Sequence, residues 1–563
     1  MAKFQRLPQP NTWEEPCLGF KGILNNVNPE LLPDGYVSDM ENLETTIEGM
    51  PESIANPTLL GTIASGNIIA FFAWQKDDGT IIYLCQSGTK IYRWITDAWF
   101  RIKTFTSSAK VSFASGMADT VYIVHPVDGL WSYTGTLLVT ALTGTVEVVT
   151  ASTAVVGTTT AFDTELVVGD RIKIGTETFT VSVITNATHL TLSSNYLGAG
   201  ASGLTAYTDV KAVVVSAHAN ATGKYITLWK NRFFVAGNTT YPQRISWCKI
   251  NDPTDWTTAD ITGVVDFRTA EDSRITGIIP VGDILYVTSE SASFSLSGYS
   301  NVTFESFPYN YSLDQPVSNA IVNAEGGVYF IGRDGIFSVG ERNTPPKRIS
   351  MPIDSLVDYT SAIKSCAYWK SKVYFLIGTK IFILNLVTGF WEKRSYSSMS
   401  LIYSFDHLWL GTSAGSAYKL DVGTTGYLTW YLTTKVHNEG ITVLQKRYKT
   451  LYVFYKTTST ANTINVDLYE DYSNQAQRIG SFDTSVGATG AYYQLVATVD
   501  ADAAQWGYDV YSSAYIGNID VKKLYAFIGV ARTVSLKFSG EGRVGLLGYT
   551  LAFKPKRRIG VRA

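Results

Sequence analysis

"KYITLWKNRFFVAG", residues 224–237, joins an aromatic-rich strand to a second apolar strand through a short polar break. Alternating runs bounded by polar turn residues mark antiparallel strands. Six other segments repeat the phrase. They start at Ile69 ("IAFFAWQKDDGTIIYLCQSGTKIYRWI"), Val111 ("VSFASGMADTVYIVHPVDGLWSYTG"), Ile278 ("IIPVGDILYVTSESASFSLSG"), Ala320 ("AIVNAEGGVYFIGRDGIFSVG"), Ser365 ("SCAYWKSKVYFLIGTKIFILNL") and Leu401 ("LIYSFDHLWLGTSAGSAYKLD"). Their central residues Tyr83, Tyr122, Phe234, Tyr286, Tyr329, Tyr374 and Trp409 are spaced by 39, 112, 52, 43, 45 and 35 residues. All but one of these gaps match a four-stranded blade. A single such sheet cannot bury both faces, but a ring of them can. The expectation is an all-β chain built on a propeller of about seven blades. Closure by a strand from elsewhere in the chain would change that count.

The composition agrees. Of 563 residues, 45% are hydrophobic, 13% aromatic and only 17% charged. Aromatic and branched side chains suit pleated sheets. So low a charge suggests a surface partly covered in an assembly. The net charge of −2 excludes a binder that grips nucleic acid with its whole surface. The opening "MAKFQRLPQPNTWEEP" has no apolar core, so no signal peptide is expected, and no apolar run is long enough for a membrane helix. Cys17, Cys85, Cys248 and Cys366 lie far apart, which argues for free thiols made in a reducing cytoplasm.

The long gap holds one blade plus a Thr- and Val-rich surplus, read as a small β-barrel or sandwich over residues 143–209, inserted between blades. The expected organisation is then an extended N-terminal segment (1–60), first blades (61–142), the insert, the remaining blades (210–432) and a C-terminal β-sandwich of jelly-roll type (433–563). Long alternating strands after Trp430 carry that last assignment. The chain ends in a basic tail with Lys554, Lys556, Arg557, Arg558 and Arg562, which reads as solvated or as a contact for phosphate or an acidic partner.

Chemistry is sparse. His125, His189, His218, His407 and His437 show no metal-ligand spacing. "GTSAG" at Gly411–Gly415 imitates a nucleophile elbow but sits in a blade turn, without the strand–turn–helix it needs. "KDDGT" from Lys76 and "GRDGIF" from Gly332 read as Asp-Gly hairpin turns rather than calcium loops. "RTAEDSR" from Arg268 and "SLDQP" from Ser312 carry carboxylates, which a propeller glycosidase would need to pair. No catalytic, cofactor or metal residue is assigned, and the chain is expected not to be an enzyme.

Two stretches carry a resemblance. "GFKGILNNVNPELLPDGYVSDMENLETTIEGMPES", with Gly19, Gly22, Asn25, Leu32, Gly35, Asn42 and Pro51, is similar to the N-terminal stretch of tailed-phage virion proteins. "WKNRFFVAGNTTYPQRISWCKINDPTDWT" resembles a blade phrase of the same proteins, with Cys248 in place of the usual small polar residue. The insert and the ending "FSGEGRVGLLGYTLAFKPK" are similar too, so the likeness covers most of the chain. The family is the β-propeller tail nozzle, or tail tubular protein B type, of short-tailed phages. The resemblance implies a structural virion protein without a cofactor, assembled in the host cytoplasm into a ring, a homohexamer in the family. That ring contacts a portal-adaptor protein and fibres or spikes, and double-stranded DNA passes through it. A receptor- or carbohydrate-binding tail protein is the main rival reading, with a propeller glycosidase behind it.

Overall fold

The computed structural model describes residues 13–555 apart from 47–48, 64–65, 260, 268–272, 311–314, 341–344, 424–425, 439–444, 457–461, 474, 484–491 and 495–518. The first-quoted stretch folds as Tyr225–Trp229 and Arg232–Ala236, joined by the two-residue turn Lys230-Asn231. Both turn residues are left-handed (φ 48° and 56°). That geometry matches the twist of the flanking strands. Lys370-Ser371 makes the same turn in another repeat (φ 49° and 56°).

Seven four-stranded antiparallel sheets follow from the repeat. Blade 1 is Ile68–Gln75, Ile81–Ser87, Lys90–Ile95 and Ala98–Thr104. Blade 2 opens with Ser112–Ser115, Val121–His125 and Gly129–Tyr133, and blade 3 starts with the quoted hairpin. Blades 4, 5 and 6 begin at Ile275, Ile321 and Lys364. Blade 7 has Met399–Ser404, Leu408–Thr412 and Ser416–Lys419, and its outermost strand is Thr58–Thr62 from the N-terminal side. The first strands of successive blades touch, and that of blade 7 touches that of blade 1, which closes the ring. Separate apolar clusters fill the seams. Phe71 stacks on Trp409 (5.3 Å) between blades 7 and 1, and Tyr122 meets Phe233 (4.4 Å) between blades 2 and 3. Gly61 in the closing strand lies under Trp94, where an added Cβ would come within 2.2 Å of the ring, so only glycine lets the strand seat.

The surplus forms its own eight-stranded sheet from Thr140–Ala141 to Ala206–Thr208, around Phe162, Ile172, Ile174 and Val146. It does not lie between blades as expected from sequence. It interrupts blade 2, whose fourth strand Val213–Ser216 follows the insert. The reason is positional: the link between third and fourth strands is at the outer rim, where a loop can grow without disturbing the core.

The C-terminal body is a sandwich of two five-stranded sheets. Alternation buries Ile464, Val466 and Leu468 from one strand and Val534, Leu536 and Phe538 from its neighbour. Each sheet takes one strand from the N-terminal stretch: Trp13–Leu18 pairs with Leu546–Pro555, and Asp39–Glu41 pairs with Trp430–Thr433. Pro16 fits because Trp13–Leu18 is an edge strand. The stretch expected to be merely extended therefore supplies strands to both bodies, ending in the propeller's closing strand. One apolar core runs from Phe375 and Trp391 of blade 6 through Phe20 and Met40 to Tyr549 of the sandwich. Among the described residues no helix is long and apolar enough to cross a membrane.

The insert's two stalks meet where the Leu138 amide donates to Asp209 (3.0 Å). Replacing residues 140–208 by a short Gly/Ser joint should therefore leave a soluble propeller with native-like circular dichroism. Insolubility across several joint lengths would show that the insert is part of the blade core.

Candidate functional site

Three places gather polar chemistry. The first is the propeller axis. A cavity of about 220 Å³ lies among the first strands of blades 1, 2, 6 and 7 and the turn before blade 5. Phe72 and Phe113 stack on one another in its wall (5.4 Å). Most of its polar side chains are engaged: Ser365 donates to the Ile402 carbonyl (3.0 Å) and Tyr403 to the Ala73 carbonyl (3.3 Å). Lys110 and Asn319 differ, since neither side chain has a hydrogen-bond partner among the described residues. Burial lowers the pKa of the Lys110 ammonium, and no carboxylate offsets it.

The second is a charged lock between blade 6, the N-terminal stretch and the sandwich. Glu392 is fully buried on the outer strand Trp391–Ser395. It accepts from the Thr45 amide (2.9 Å) and faces the Lys372 ammonium (3.2 Å). Lys372 also reaches Glu44 (2.8 Å), and buried Arg394 spans Glu44 (3.0 Å) and Asp421 (2.7 Å). Lys393 bonds Asp39 (2.6 Å), and Lys380 bonds Glu41 (2.7 Å). Burial pushes the Glu392 pKa up even beside Lys372. Burial pushes Glu44 the same way, but Arg394 and Lys372 overcome it and hold its carboxyl below the usual range.

The third is a groove of about 300 Å³ on the sandwich, lined by Tyr431, Tyr469 and Tyr472 with Asp39 and Lys537. The Tyr431 hydroxyl donates to Asp39 (2.8 Å), and the Lys537 ammonium sits 4.5 Å from the Tyr431 ring centre. Rings beside a carboxylate and an ammonium can stack on and hydrogen-bond a polar ligand.

The residues weighed in the sequence are scattered. His125 is buried and stacked on Phe105 (4.5 Å), and its Nδ1 accepts from the Asp128 amide (2.9 Å). His437 is buried in the sandwich, with Nε2 2.7 Å from the Tyr549 hydroxyl. His189 lies in the insert, and His218 accepts from the Asn220 amide at a short helical turn. His407 pairs with Asp406 (2.9 Å), which Tyr83 and Trp409 also hold. Among the described residues no group of these side chains could hold a metal. "GTSAG" spans a hairpin between Leu408–Thr412 and Ser416–Lys419, with no helix behind it. "KDDGT" and "GRDG" are hairpin turns; Asp78 accepts from the Thr80 amide (2.8 Å). In "DPTDW", Asp252 and Asp255 cap successive turns around buried Trp256. All four cysteines are free, and Cys366 lines the axial cavity. The carboxylates of "RTAEDSR" and "SLDQP", and Lys556, Arg557, Arg558 and Arg562 of the tail, lie outside the described residues; Lys554 is exposed at the end of the last strand.

Sequence reasoning missed Lys110, Asn319 and the lock. The signal for the lock was present. "WEKRS" puts three consecutive charges in one blade strand, and "SDMENLE" offers the matching acids.

No family model and no curated protein matches the chain. Solved structures do resemble it. An extracellular domain assigned to a one component system of B. thetaiotaomicron has 10% identity and a TM-score of 0.38, over 82% of this chain and 59% of that one. The Neurospora crassa Pan2 WD40 domain has 8% identity and a TM-score of 0.33, over 66% and 98%. A structure described as a glycoside hydrolase has 9% identity and a TM-score of 0.23, over 88% and 99%. The chain spans about three-fifths of the first of these. At such scores the likenesses carry no functional argument. The class rests on the sheets themselves: a seven-bladed β-propeller joined to a β-sandwich.

Two measurements probe these sites. Lys372→Met strands the buried Glu392 carboxylate and should cost about 3–5 kcal/mol of stability, measured by denaturant unfolding. Adding Glu392→Leu should recover much of it; equal loss in the double variant would mean that packing, not charge, is at stake. His125 is held neutral, because burial lowers its pKa more than Asp128 raises it, with Lys103 also lowering it. The unfolded chain then binds the extra proton first, so stability falls as pH drops through about 6.5. His125→Gln should flatten that part of the stability profile; an unchanged slope would remove His125 as its source.

Proposed function

We propose that the chain is a structural subunit of a tail nozzle, a ring through which phage DNA leaves and to which an adaptor and fibres or spikes attach. One observation carries the reading. The positions on which the family resemblance rests are those that build the thread tying propeller to sandwich. Gly22 lies against the Trp391 backbone, where an added Cβ would come within 2.6 Å. The Asn25 side-chain Nδ2 donates to the Ser38 carbonyl (2.6 Å). Leu32 is buried. Asn42 bridges the sandwich and blade 6, through the Thr429 carbonyl (2.8 Å) and the Ser395 amide (2.9 Å). A block tied in this way suits a part that bears load. The axial cavity of about 220 Å³ cannot admit a duplex about 20 Å wide. The DNA path then runs between subunits of a closed ring, six by the resemblance, with heterologous contacts. A net charge of −2 avoids holding the passing DNA.

The tyrosine-lined groove on the sandwich favours a second reading, in which the same virion protein binds a receptor glycan. The position and copy number of the chain in whole virions separate the two. A ring on the tail axis below the portal is the expected result. Copies confined to fibre tips, away from the axis, would replace the nozzle reading with receptor binding.

A further inference from the structure

We propose that the propeller axis holds a binding site for a small carboxylate ligand, with Lys110 as its counter-ion and Asn319 as its second hydrogen-bond partner. The lysine is placed, not loose. Gln86 is fully buried; its amide donates to the Ala109 carbonyl (2.8 Å) and its oxygen accepts from the Val111 amide (2.8 Å). One side chain thus pins the backbone on both sides of Lys110. Lys110 lines the cavity while part of its side chain still meets solvent, and partial burial lowers its pKa without a compensating acid. A partly withdrawn ammonium that faces no carboxylate gains from an anion that enters the cavity. Asn319 adds a second departure. Its backbone is left-handed (φ 60°), its own amide reaches the Thr276 carbonyl (3.3 Å), and its side chain is left unbonded at the same cavity.

The ligand's class follows from the lining. One cation and one neutral amide balance a single negative charge, so a monoanion fits and a phosphate dianion would stay one charge short. The stacked Phe72 and Phe113 offer a flat apolar wall. The volume, about 220 Å³, is below the roughly 300–1,000 Å³ of drug-sized sites. A small carboxylate with a flat body meets these terms, and the site stands whether or not the chain forms a nozzle.

The test uses the full chain and benzoate as probe, with neutral benzamide and inorganic phosphate beside it, read by calorimetry and thermal shift. Benzoate should bind in the millimolar range or tighter and raise the melting temperature, while benzamide should not. Lys110→Met should weaken benzoate at least about tenfold. Asn319→Asp supplies an internal counter-ion; it should raise the melting temperature of the free protein and block benzoate, and it serves as the comparison if Lys110→Met does not fold. The proposal is overturned if benzoate fails to bind at millimolar concentration, if phosphate binds in preference, or if neither variant changes benzoate affinity.

Discussion

A carboxylate with no water around it governs how the two bodies of this chain sit together. Glu392 is fully buried on the outer edge of blade 6, and its acceptable partners are few. Lys372 supplies the charge and the Thr45 amide a hydrogen bond, so the N-terminal stretch must lie against blade 6 for both needs to be met. Around this point Glu44, Arg394, Asp421, Lys393 and Asp39 extend the same logic to the sandwich. Such a network adds little net stability over an apolar core, but breaking one partner is costly. Its pairs form only when residues 39–45 lie against Trp391–Ser395, so the docking of these segments is tied to the charges.

That specification reaches the propeller ring. Asp39–Glu41 lies in the sandwich and Thr58–Thr62 closes blade 7, with fewer than twenty residues between them. Whatever holds the first strand also limits where the second can be. Both strands pair with partners more than 350 residues away in sequence. Contacts of that range form late, because loop closure must precede them. The blades' hairpins are local, whereas the thread supplies the last strand of blade 7 and one strand to each sheet of the sandwich.

The hairpin grammar was legible because it is local. Tyr83, Tyr122 and the other central residues recur at blade spacing, and their neighbours pair in register as the alternation requires. The insert was visible as an anomalous gap, but its place inside blade 2 was not, since Val213–Ser216 is a short strand whose partner Gly129–Tyr133 precedes the whole insert. The N-terminal strands were hidden for a related reason. Pro16 looks like linker until Thr550 is placed opposite it, and the acids of "SDMENLE" until Lys372, Lys393 and Arg394, over 300 residues on, are placed opposite them. Lys110 was invisible because a lysine before a strand is ordinarily solvated. What distinguishes it is the clamp by Gln86, a pairing across blades that no spacing records.

The distribution of charge bears on what covers the molecule. Charged residues are 17% of the chain, and Glu392, Arg394, Lys393 and Lys372 among them are withdrawn into the lock. The surface is therefore poorer in charge than the composition suggests. On the insert, Val149, Val156, Val167, Val168, Val183 and Leu197 are exposed. They sit among exposed polar side chains such as Thr158, Asp163, Thr178 and Ser193, the mixture ordinary on a protein surface. The module leaves blade 2 between its third and fourth strands, and its Asp170 pairs with Arg101 on the outer strand of blade 1 (3.5 Å).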